Sequence, residues 1–512
     1  MDSVSNNKRI AKNTIFLYFR MMIIMLVTLF TSRIILQSLG VEDYGIYNLV
    51  GGVTAMFTFL NGALSDATQR YLTFELGRGK DGKANNIFSL CMILHIIMAA
   101  IIVVITETVG LWFLYNKLQI PEERINAAFW VFQFSVSSLF ILFVSVPYNA
   151  LIIAYERMKA FAFFSIFTSG INLLIAYALF ISGSLDRLIL YAFLLFILQV
   201  ITNLIYIVYC RRSFSESKFR FVWDNKKIRE LTGFVSWTLI GNISYIAYTQ
   251  GLNILLGMFF LPVVNAARGI AVQVQNAVNN FVKNFQTAIN PQITKSYAAG
   301  NLAEMHSLIF RSSRFSFFLL MVPMIPIIYE APLILKLWLT EVPENTIVFL
   351  RIILLTTWVN SLANPLGVSS KATGNIKLYE GTVATLKLFI VPIAYVCLKI
   401  GLPAVSVFIV HLIVECCTYS ANLLVSRHLV HLPLRKYFKE VTIRIIVVGA
   451  LSFISPIIIC LFMSDSILRL ITLGLTSCIV SVILIICFGL TMSERSFLFN
   501  KAKLIINKNI SI

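Results

Sequence analysis

NAARGIAVQVQNAVNNFVKNFQTAINP, residues 265–291, is the stretch whose reading decides the fold. It is long enough to cross a bilayer as a helix, at roughly 20 residues per crossing, yet it carries a full polar face. On a wheel of about 100° per residue, Asn265, Gln273, Asn276, Asn279, Asn280, Lys283, Thr287 and Asn290 share an arc of roughly 120°, and Val274, Val278, Phe281 and Phe285 lie opposite. A lysine among asparagines at membrane depth costs several kcal/mol where it meets lipid, so the arc must face protein or water. The expectation is a membrane helix in the wall of a transport cavity.

The whole chain agrees with that setting. Of 512 residues, 58% are hydrophobic and 13% charged, with a mean hydropathy of +0.84. Soluble domains carry about 25% charge, so this composition describes an all-α polytopic membrane protein. The net charge of +19 could suggest nucleic acid as a partner, but basic excess in such chains collects in cytoplasmic loops, and none is expected here. The eight cysteines sit in or beside apolar runs without metal-ligand spacing and read as packing residues. The first apolar run is too long for a signal peptide and lacks a small-residue cleavage site.

Apolar segments of bilayer length fall at 13–37, 45–73, 86–114, 126–152, 160–182, 187–209, 231–257, 264–291, 308–329, 346–369, 378–398, 403–426, 442–463 and 467–490, about fourteen transmembrane helices. Lys and Arg concentrate in every second gap: Lys8, Arg9 and Lys12, then Arg78, Lys80 and Lys83, then Arg157 and Lys159, then seven between Arg211 and Arg229. The series continues with Lys295, with Lys371 and Lys377, with Arg427, Arg435, Lys436 and Lys439, and with the last residues of the chain. The alternate gaps are poor in basic charge, which places both termini in the cytoplasm. The basic segment 211–230 reads as a topology anchor, although a cytoplasmic partner or anionic lipid headgroups could use the same charges.

A repeat underlies the helices at an offset near 220. LGRGKD (76–81) is answered by YAAGNL (297–302), IPEE (120–123) by VPEN (342–345), and Val146-Pro147 before ERMK (156–159) by Asn364-Pro365 before GNIK (374–377). The copies are an even number of crossings apart, so the repeat is parallel. The expected organisation is an N-terminal lobe of six helices (1–210), the basic linker (211–230), a second six-helix lobe (231–427) and a C-terminal helix pair with its tail (428–512).

The run SRIILQSLGVEDYGIYNL (32–49), with ATQRY (67–71), PYNA (147–150) and AYER (154–157), resembles bacterial polysaccharide flippases. These belong to the multidrug/oligosaccharidyl-lipid/polysaccharide (MOP) exporter superfamily, whose O-antigen branch fits best. The resemblance implies a MATE-like pair of lobes and alternating-access translocation of undecaprenyl-pyrophosphate-linked oligosaccharide across the bacterial inner membrane. It also implies membrane lipids and polysaccharide-assembly proteins as partners and no cofactor.

Such a cargo needs cations for a diphosphate and hydrogen-bonding groups for a glycan. Arg20 lies about 10 Å along the first helix from Asn13, at ~1.5 Å per residue, and Lys283 lies deeper on its polar arc. With Arg33, Arg70, Arg268, Gln273, Asn276 and Asn280 they are the candidate substrate-binding residues. Arg33, Arg70 and Arg268 could instead snorkel to an interface. For energy coupling the candidates are Asp66, Lys387, His411 and Glu415. Asp66 is also placed to pair with Arg70 one turn away. Glu415 lies about 18 Å into its helix from Pro403, one turn from His411 and at the depth of Lys387. A buried Lys387–Glu415 pair and an ion site at His411 and Glu415 are the two readings there.

The drug and cation branch of the superfamily commonly has an acidic residue in its first helix, and this sequence has none there. MATE-type multidrug or cation antiport is nevertheless the alternative function. No carboxylate pair, metal cluster or nucleophile motif stands out and the extramembrane gaps are short, so neither catalysis nor a metal is expected.

Overall fold

The computed structural model describes residues 3–55, 58–79, 82–116, 120–181, 186–260, 262–339, 342–492 and 494–496. Among them the chain is almost wholly helical and has no strand. The long helices are α1 (Ser3–Ala55), α2 (Thr58–Gly77), α3 (Ala84–Asn116), α4 (Glu122–Ala154), α5 (Met158–Ile181), α6 (Arg187–Ser213) and α7 (Asn225–Phe259). They continue as α8 (Pro262–Ala298), α9 (Leu302–Tyr329), α10 (Thr346–Ala372), α11 (Ile376–Lys399), α12 (Val405–Val430), α13 (Leu434–Phe462) and α14 (Ile467–Gly489). Helix α1 is broken at Gly40 (φ 79°), so it joins the first expected crossing to the start of the second.

Ten of these helices, α3–α6 and α9–α14, are long and apolar enough to span a membrane among the described residues. The others, α1, α2, α7 and α8, occupy matching places at the start of each repeat. In α2, α7 and α8 it is Asn, Gln, Thr and Ser within the helix that lower the hydropathy. Outward-facing apolar side chains are common on the spanning helices, for example Phe163 and Leu174 on α5 and Leu461 and Phe462 on α13, as a lipid-facing surface requires. Cys91 and Cys210 pack inside, whereas Cys416, Cys417 and Cys487 are exposed; a thiol is apolar enough for either place.

Contacts divide the chain into two compact units, residues 1–242 with 287–301, and residues 243–286 with 302–512. In the first, α4 packs on α2, α3 and α6, and α1 packs on α5; in the second, α10 packs on α9 and α12, and α11 on α12. The pairings α3–α4 and α4–α6 thus recur six helices later. The boundary cuts α7 and α8 rather than the basic segment. Phe234 of α7 packs against Arg70 and Tyr71, and Glu156 holds the end of α8. The segment after α6 is itself folded onto α3: the Asn85 amide donates to the carbonyls of Glu216 (2.9 Å) and Lys218 (2.7 Å), and the Ser89 hydroxyl accepts from Arg220 N–H (3.0 Å).

The repeat is visible in backbone angles as well as in sequence. Gly79 (φ 61°) answers Gly300 (φ 74°), and Glu156 (φ 58°) answers Gly374 (φ 82°) at the turns after α4 and α10. Glycine takes a left-handed conformation at no steric cost, whereas a residue with a Cβ pays about 1–2 kcal/mol there. Glu156 therefore sits in its turn against its own backbone preference.

In the second unit, α14 is fastened to α9 at both ends. Arg314 (2% exposed) makes two hydrogen bonds to the Glu494 carboxylate (2.7 and 2.9 Å), which also pairs with Arg311 (3.2 Å). At the other end Arg469 donates twice to the fully buried Glu330 (2.7 and 3.1 Å). The Arg469–Glu330 pair is fork-to-fork, through Nε and Nη2, the strongest geometry available to arginine and a carboxylate, whereas Arg314 reaches both Glu494 oxygens through Nη2 alone.

Candidate functional site

Helix α8 follows its wheel in part. Val278 and Phe285 of the expected apolar face are buried, with Val282 beside them, but Val274 is half-buried and Phe281 is exposed; Gln273, Asn276, Asn280 and Lys283 of the polar arc are exposed, turned away from the packed interior of the second unit. Between the two faces runs a line of longer polar side chains that the arc did not include. The Gln275 amide donates to the Thr357 hydroxyl (2.7 Å), and the Gln286 amide to the Ser316 hydroxyl (3.1 Å) and the Ser361 carbonyl (3.4 Å). These fasten α8 to α9 and α10, so the polar arc is held at a fixed rotation. Spacing alone could have found them, since Arg268, Gln275 and Gln286 share one edge of the wheel.

Arg268 stands on that edge and is buried at the wall of a cavity of about 250 Å³. Its guanidinium donates to the Thr249 carbonyl (3.0 Å) and to the Asn253 side-chain oxygen on α7. Both of these partners are neutral. Tyr248, Gln275, Asn276 and His411 complete the polar part of the lining, and Val272, Ile353 and Phe408 the apolar part. The volume is below that of a typical drug pocket, about 300–1,000 Å³, and suits a phosphate or a single sugar.

Behind the cavity, Tyr248 collects the coupling candidates. The His411 ring lies 5.2 Å from the Tyr248 ring, and Lys387 Nζ lies 5.8 Å above it. Lys387 pairs with Glu415 at 3.5 Å, and the carboxylate, 1% exposed, makes no well-aligned hydrogen bond through Oε2. Arg268 and Lys387 against Glu415 leave a formal excess of one positive charge around the cavity. Burial raises the strength of that charge toward an anion because little water screens it.

The remaining candidates lie elsewhere. Arg20, half-buried in the first unit, has its guanidinium 4.6 Å from the Phe161 ring centroid. Arg70 stacks on Tyr71 (4.3 Å) and reaches Phe74 and Phe234. Such cation–π contacts keep an arginine charged inside an apolar wall. Asp66 is exposed. Arg33 and Asn265 lie outside the residues whose side chains are described. The structure thus brings Arg268, Asn276 and His411 to one cavity, with Lys387 and Glu415 just behind it, and places Arg20 and Arg70 on separate helices of the first unit.

Several charged positions inside the helices escaped the sequence reading, Glu107 and Arg314 among them. Glu107 lies in a π-turn of α3 and accepts from the Gln133 amide of α4 (3.1 Å). Arg314 sits inside a spanning helix, one turn from Arg311, and that spacing was the available signal. Among the described residues, no group of three or more His, Cys, Asp and Glu side chains could hold a metal ion.

Known structures share this architecture. An outward-facing multidrug resistance MATE family transporter of the MOP superfamily superposes with a TM-score of 0.70 at 15% identity, covering 84% of this chain and 98% of that one. The Vibrio cholerae MATE transporter VcmN in its bent form gives 0.69 at 16% identity, over 85% and 98%. A MATE in complex with MaD3S gives 0.69 at 16%, over 84% and 98%. No family model and no curated protein matches the sequence. The likeness, nearly end to end of those chains, establishes the MATE fold in a multi-pass membrane protein.

Proposed function

We propose that the chain is a transporter working by alternating access, and that its cargo is an amphipathic anion, a lipid whose diphosphate headgroup bears an oligosaccharide. In that role it lies in the bacterial inner membrane with both termini cytoplasmic, and it supplies O-antigen or capsular polysaccharide synthesis. The fold supports transport. The observation that carries the choice of cargo is Arg268: a buried guanidinium at a cavity wall, satisfied by neutral partners, is an electrostatic site for an anion. Amide groups beside it, Gln275 and Asn276, suit sugar hydroxyls. The polar arc of α8, with Lys283, extends the same chemistry along the helix.

The second reading is antiport of organic cations, and the likeness to multidrug MATE transporters favours it directly. A cation site needs a carboxylate free to face the cargo. Glu415, the deep carboxylate of the second unit, is already paired with Lys387. Charge therefore separates the two readings. Purified protein in proteoliposomes is to be tested for flipping of a fluorescent polyprenyl-diphosphate oligosaccharide and, separately, for proton- or sodium-driven uptake of ethidium. Flipping that falls at least tenfold in Arg268→Ala supports the anionic cargo. Ethidium uptake without flipping overturns it in favour of the antiporter.

A further inference from the structure

The end of α8 is seated in a prepared socket. Glu156 has its side chain fully buried, pairs with Lys295 Nζ at 2.7 Å, and accepts from the Gln292 amide, both on the last turns of α8. The Asn13 amide of α1 donates to the Glu156 carbonyl (3.3 Å), which fixes the turn from behind. A second grip is steric. A Cβ built on Gly77, at the end of α2, would lie 2.7 Å from the Ala298 Cβ and 2.9 Å from the Lys295 carbonyl oxygen, so any side chain there would push the helix end away. By the sequence repeat, Gly77 and Ala298 are equivalent residues, and the structure has them touching each other. Ala288, further up α8, closes on Leu17 and Met158.

The turn itself asks for none of this. Its counterpart in the second repeat uses Gly374 at the same left-handed position, which is the unstrained choice. The reason for a glutamate at position 156 lies in its carboxylate, since a strained residue needs a reason outside its own backbone. The carboxylate holds residues 287–301 within the first unit, while the preceding part of the same helix belongs to the second. We infer that Glu156 and Gly77 form a releasable latch on the basic side of the protein, and that Lys295, Gln292 and Ala298 at the end of α8 are its tongue. The inference rests on the alternating-access reading only in that the latch must open during the cycle. The grip itself can be read without any cargo.

The test uses the full chain in nanodiscs with Ser296→Cys, a buried position on the tongue, and site-resolved mass spectrometry of maleimide labelling. The native Cys91 and Cys210, both buried in the first unit, report its folding in the same sample. Glu156→Gly is the informative variant, because it relaxes the turn while removing the carboxylate. The expected result is labelling at position 296 that rises on the order of tenfold, since the carboxylate that holds both the half-buried Lys295 and the buried Gln292 is gone, with Cys91 and Cys210 still protected. The exchange Glu156→Lys with Lys295→Glu is expected to restore protection. Unchanged labelling in Glu156→Gly overturns the latch. So does labelling of all three cysteines, which would make Glu156 a folding residue of the first unit. Loss of flipping with an intact latch signal counts only against the cargo assignment.

Discussion

Removing Lys387 should be far more damaging than removing the pair it belongs to. Glu415 is 1% exposed and Lys387 is its ion-pair partner at 3.5 Å, on neighbouring helices α11 and α12. In Lys387→Met the carboxylate stays in a site without water or a counter-charge, and breaking a buried pair from one side costs about 3–5 kcal/mol. The double variant Lys387→Met with Glu415→Gln removes the charge on both sides, and such replacements are often neutral. The cycle should therefore show a coupling of several kcal/mol, well beyond the roughly 0.5 kcal/mol expected of independent sites. Thermal unfolding in detergent, followed by tryptophan fluorescence, measures it. For a unit of this size the single variant should lower Tm on the order of 10 °C and the double by much less. Equal losses in the single and double variants would refute a buried pair worth counting, as would a single variant that unfolds with the wild type. The double variant then decides the role of Glu415: transport that no longer responds to pH or sodium makes it a coupling group, and an unchanged response makes it structural.

Other consequences are open to shorter tests. Lys283→Ala and Arg20→Ala should each lower flipping several-fold with normal amounts of protein in the membrane, and wild-type flipping by the double variant would remove both from the pathway. Gln275→Leu should free the rotation of α8 about its axis and reduce Arg268-dependent flipping, while leaving the unfolding free energy within about 1–2 kcal/mol of wild type, the cost of one buried hydrogen bond. Arg314→Met should leave Glu494 with Arg311 as its remaining cation and lower Tm, with rescue by a further Glu494→Gln; failure of that rescue would show that packing rather than charge holds the end of α14.

The membrane class and the place of most helices were legible because they depend on composition and period, although α1 continues past the expected end at 37, through the break at Gly40, to Ala55. Residues 265–291 lie in a helix whose polar arc is largely exposed and whose apolar face is buried at Val278 and Phe285 but not at Phe281. The repeat was legible in its turns, and Gly300 and Gly374 take left-handed angles where the landmarks placed them. The cavity was only partly legible. Arg268, Asn276 and His411 are far apart in sequence and meet because α7, α8 and α12 pack together, which no periodicity encodes. Gln275 and Gln286 were passed over because the wheel sorted residues into two faces and these occupy the seam. Glu156 and Lys295 looked like loop charges until the close packing at Gly77 put them inside.

The two fastenings between α9 and α14 have opposite polarity: arginine on α9 meets glutamate at one end, and glutamate beside α9 meets arginine at the other. A hairpin α13–α14 inserted upside down would set Arg469 against Arg314 and Glu494 against Glu330. Like charges without water between them repel by several kcal/mol at short range. The two pairs thereby disfavour the wrong insertion of this hairpin.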